Sequence, residues 1–82
     1  MGRGTSQPDQ EWRHLAQANR HIADAKKFVA RQRQIVERVK AKGSGALADA
    51  LVTLDVLEAT LQELERHRQL ILTSIERSTA PA

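Results

Sequence analysis

The chain has no cysteine and no tyrosine, and only one tryptophan, one phenylalanine, two prolines and four glycines among its 82 residues. Each shortage removes a class of structure. Without cysteine there are no disulfide staples and no thiolate metal ligands, a composition that suits a reducing compartment. Few aromatic residues beside abundant Ala, Leu, Gln, Glu, Arg and Val favour long helices and starve a sheet, so no strands are expected. No apolar run approaches the roughly 18 residues of a membrane span, and the first residues lack the apolar stretch of a secretory signal. No membrane partner is therefore expected, and the expected location is cytoplasmic. So short a chain forms one domain at most and buries little surface alone. With staples excluded, self-association is the expected remedy.

The formal net charge is +3, but its distribution matters more. Residues 8–42 carry an excess of Arg and Lys, whereas residues 46–77 carry an excess of Asp and Glu. Opposite signs on consecutive helices favour their lying side by side.

The sequence predicts a helical hairpin over residues 6–78, with residues 1–5 and 79–82 disordered. Helix 1 is expected at about 7–42, with Ser6 and Asp9 as a capping pair and Pro8 in the first turn. Lys40 and Lys42 suit its negative end, and Gly43 can take the left-handed conformation that stops it. A turn at 43–45 leads into helix 2 at about 46–77, restarted by Ser44 or Gly45 and ended by Ser78-Thr79-Ala80-Pro81. The rival, a single rod through residue 43, carries two glycines within three residues at about 1 kcal/mol each.

A heptad reading sharpens the hairpin into an antiparallel, coiled-coil-like pair. Apolar a and d positions fall at Leu15, Ala18, Ile22, Ala25, Val29, Val36 and Val39 in helix 1. In helix 2 they fall at Leu47, Ala50, Leu54, Leu57, Leu61, Leu64, Ile71 and Ile75. Gln32 and Arg68 interrupt the two series, and single polar residues in such seams fix register and orientation. The register sets Val29 by Leu61 and Leu15 by Ile75, with Gln32 opposite Leu57. Arg68 falls opposite Ile22, its stem free to reach Asp24 or Glu65.

The flanks of the seam differ. On one, Arg33 is expected near Glu58 and Lys26 near Glu65, as exposed ion pairs. On the other stand His14, His21, Phe28 and Ile35, facing Ala46, Thr53, Thr60 and His67. Phe28 and Ile35 widen the apolar stripe beyond what a two-stranded seam needs. Leu51, Val52, Val56, Leu70 and Leu72 add more. The expectation is that two hairpins form a four-helix bundle, with Phe28, Ile35, His21 and His67 at the dimer interface.

Three chemical readings compete with plain packing. His21 and His67 face each other in this register, with Asp24 and Glu63 one turn away, a spacing by which bundles build metal sites. The pattern lacks the paired Glu-x-x-His of di-iron bundles, and histidines at a half-buried boundary are the reading it favours, so no metal or other cofactor is expected. Arg13, Arg20 and Lys27 recur every seven residues, with Arg31 and Arg38 beside them. Such a ridge can bind phosphates, yet nothing here reads bases, and a solvated face is favoured over nucleic acid. Trp12 is expected to cover the open end near Leu72 and Ile75, with an anchor for a partner as the alternative. No catalytic residues are expected: there is no thiol, no Ser or Thr placed with His and a carboxylate, and no deep pocket in a thin bundle.

The run His14-Leu15-Ala16 through Arg20-His21-Ile22-Ala23, followed by Ala30-Arg31-Gln32-Arg33-Gln34 and a glycine turn, resembles short two-helix bacterial proteins of no assigned function. The resemblance covers nearly the whole helical region and implies a small stand-alone protein without activity. The leading expectation is thus a non-enzymatic, homodimeric helical-hairpin interaction or regulatory module, whose partners are itself and another helical protein. An electrostatic binder of nucleic acid or other polyanions ranks second, and a histidine and carboxylate metal site at a dimer interface third.

Overall fold

The computed structural model describes the backbone of residues 6–79 and the side chains of residues 9–79. The fold is all-α: helix α1 spans Ser6–Lys42 and helix α2 spans Leu47–Thr79. No strand occurs among the described residues. The capping expected of the Ser6 and Pro8 side chains, and the disorder expected of residues 1–5 and 80–82, lie outside what is described.

The turn is specified by backbone bonds. Gly43 has φ +65°, its N–H donates to Lys40 O at 3.1 Å, and Ser44 N–H donates to Val39 O at 3.2 Å. This pair of bonds is a Schellman motif, which satisfies carbonyls that the end of α1 would otherwise strand. Ser44 then starts the return: its Oγ accepts from Ala46 N–H at 3.1 Å, holding residue 46 in the turn so that α2 begins at Leu47. At the far end α2 runs to Thr79, two residues beyond expectation. The hydroxyls there do not compete with the helix, because Ser78 donates to Ser74 O and Thr79 to Ile75 O one turn back.

Cross-helix bonds define the hairpin. Gln32 Nε2 donates to Ala50 O at 3.0 Å near the turn, Arg33 bonds Glu58 at 2.8 Å, and Arg68 Nε donates to Asn19 Oδ1 at 2.6 Å. Ser74 donates to the Glu11 carboxylate at the open end, and the Ser78 hydroxyl shares its one proton between that carboxylate and Ser74 O. Early residues of α1 thus meet late residues of α2.

Every heptad a and d position named from the sequence is buried or half-buried. The buried set is Leu15, Ala18, Ile22, Ala25, Val29 and Val36 from α1, with Ala50, Ile71 and Ile75 from α2. Leu15, Ala18, Ile71 and Ile75 form one cluster at the open end, with Leu72 packed against it. The leucines of α2 at 47, 54, 57, 61 and 64 are only half-buried. The molecule measures 64 × 20 × 13 Å, and 13 Å is about one helix diameter. A single layer of helices has no second layer to cover those leucines.

Candidate functional site

The uncovered flank carries Phe28, 51% exposed, and half-buried Ile35. Thr53 and Thr60 of α2 lie on the same flank. Their hydroxyls donate within α2, to Asp49 O at 3.1 Å and Val56 O at 2.9 Å. Both threonines can therefore lose water without stranding a polar group. Toward the open end His14, His21 and His67 line one shallow recess with Gln17 and Ala18. The juxtaposition of His21 and His67 across the helices matches the expected register, and His14 joins them from two turns below.

Among the described residues no three His, Cys, Asp or Glu side chains are grouped to hold a metal ion, so neither Asp24 nor Glu63 is brought to the His21 and His67 pair. Both carboxylates are exposed. Nor is any polar or charged side chain buried among the described residues.

The opposite flank departs from expectation in three places. Arg33 and Glu58 pair as expected, but Lys26 and Glu65 line a shared recess without closing an ion pair. Two flexible, hydrated side chains gain too little to hold that geometry. Arg68 reaches neither Asp24 nor Glu65 and bonds Asn19 instead, a short side chain fixed directly across the seam. Gln32, opposite Leu57 in the register, donates to Ala50 O, a backbone carbonyl two turns nearer the loop that satisfies its amide. Trp12 does not cover the open end: it is 54% exposed, while Leu72 and the Glu11 contacts close that end in its place. The alternative, a tryptophan available to a partner, fits this exposure.

The ridge residues Arg13, Arg20, Lys27, Arg31 and Arg38 are all exposed, and none closes an ion pair among the described residues. Two features escaped the sequence reading. The Glu11 anchor could have been found from Ser74 and Ser78, one turn apart and facing residue 11 in the hairpin register. The second is on the reverse of α2, where Val52, Val56 and Leu70 are 62%, 59% and 64% exposed. Their surplus was visible as composition; their alignment needed the helix phase. No described helix is long and apolar enough to cross a membrane. No family model, no curated protein and no solved structure matches this chain.

Proposed function

We infer that the chain is a non-enzymatic interaction or regulatory module that works as a homodimer, two antiparallel, coiled-coil-like hairpins joining flank to flank in a four-helix bundle. The observation that carries this reading is the half-exposed Phe28 at the middle of a flank whose neighbouring hydroxyls are already satisfied. Large apolar side chains held in water at a helix boundary are the ordinary mark of a missing partner surface. The total accessible surface points the same way. It is 6435 Å², against the about 4900 Å² of a compact monomer of this mass. Phe28, Ile35, His21 and His67 form the proposed contact, and a second copy supplies the same residues in return, as two-fold symmetry requires.

Folding that is linked to association makes the thermal midpoint rise with protein concentration. The wild-type chain should show that rise, and Phe28→Glu should lower the midpoint and flatten the dependence. A Phe28→Glu variant that matches wild type at every concentration sinks the flank interface.

A second reading rests on the ridge of Arg13, Arg20, Lys27, Arg31 and Arg38, exposed and free of ion pairs among the described residues. It makes the protein an electrostatic polyanion binder, with affinity falling steeply as salt rises. Titration of duplex DNA at about 50 mM salt is decisive: no complex under those permissive conditions removes this reading.

A further inference from the structure

The reverse of α2, opposite the seam with α1, carries its own stripe. Val52, Val56, Ala59, Glu63, Arg66 and Leu70 recur every three or four residues and are all exposed. This spacing keeps side chains on one face of a helix. The stripe runs about 27 Å at 1.5 Å per residue. Its ends are apolar, and its middle is a Glu63–Arg66 ion pair at 3.2 Å. A helix that shows apolar residues on two opposed faces is built to lie between two partners.

We propose that this reverse face is a second self-docking surface, on which α2 packs antiparallel against α2 of another copy. Charge chooses the occupant and the register. With the two-fold axis at Glu63, two carboxylates would meet, and with the axis at Arg66, two guanidinium groups would meet; like charges directly opposed are unfavourable. With the axis between Leu64 and Glu65, Glu63 meets the partner's Arg66 and Arg66 meets the partner's Glu63. The same axis sets Ala59 against the partner's Leu70, small against large, on both sides of the charged centre. Val56 then faces the partner's Thr73, and the stem of the partner's Arg77 can lie over Val52. The stripe is thus complementary to itself.

This interface uses no residue of the Phe28 flank, so the two can fail separately. Val56 is on the outer surface, and Val56→Glu leaves the seam intact, as helical circular dichroism should verify. With both surfaces engaged, the wild-type chain sediments as a particle of four chains or more, Val56→Glu and Phe28→Glu each as two-chain particles, and the double variant as a single chain. If Val56→Glu reduces the assembly and Phe28→Glu does not, the reverse face stands and the flank reading falls. A Val56→Glu variant with the wild-type mass overturns the reverse-face proposal, whatever Phe28→Glu does. The register has its own test, since the chain holds no native cysteine. Ala59→Cys and Leu70→Cys in the same chain should oxidise to a covalent dimer while either alone does not. Eleven residues of helix, about 16 Å, forbid a bridge within one chain. Absence of a covalent dimer from the double-cysteine chain contradicts the register and the proposal with it.

Discussion

At two seam positions, Gln32 and Arg68 occupy places where the heptad pattern would put an apolar side chain, and each is held by one hydrogen bond across the helices. The bonds differ in consequence. Gln32 ties α1 to the backbone of α2 close to the turn, so Gln32→Ala should lower the unfolding free energy by about 1 kcal/mol in a denaturant titration. Arg68 bonds only an exposed Asn19, is itself half-buried and shares a recess with Ile22 of the facing helix. Arg68→Leu should therefore raise stability, by about 1 kcal/mol, since it adds apolar burial and strands no buried partner. A loss of stability in that variant would mean that the arginine stem already packs as well as leucine can. Glu11 is a third anchor: it gathers Ser74 and Ser78, and Glu11→Ala should increase hydrogen exchange in the last turns of α2 while leaving amides near the loop unchanged.

Among the elements, the loop shows how closely one residue can specify a fold. Gly43 holds φ +65° with open space around the place of a Cβ, so the cost of Gly43→Ala is backbone strain alone, about 1–2 kcal/mol. Gly45 has the same open space and no left-handed φ. Gly45→Ala should be neutral or stabilising by about 0.4–1 kcal/mol through the unfolded chain. Equal thermal midpoints for the two alanine variants would contradict this division. Both helices, the glycine stop and the whole a and d seam were legible in the sequence because each rests on local spacing that the 3.6-residue period turns directly into a face. Helix ends were less legible, because the Ser44, Ser78 and Thr79 hydroxyls have the choice of capping, turning or bonding back one turn. Long polar side chains were least legible: Lys26, Arg68 and Trp12 each had several partners in reach, and small differences in hydration decided among them. The candidate flank followed the same rule. Phe28, Ile35 and the facing histidines were all placed by period, whereas the exposure of the reverse stripe of α2 came from the structure.

The whole molecule is a plate one helix thick, and that dimension governs the rest. No side chain among the described residues is completely enclosed, so each half-buried leucine of α2 holds apolar area in reserve for another chain. A lone hairpin of this kind should unfold with a shallow, low-temperature transition, whereas an assembled one gains the layer it lacks. Self-association is therefore the central claim. Sedimentation equilibrium of the full-length chain at micromolar concentration tests it most directly. The account predicts a mass at a multiple of the 9.2 kDa chain that falls on dilution or on Phe28→Glu; a single 9.2 kDa species across the whole concentration range would contradict it.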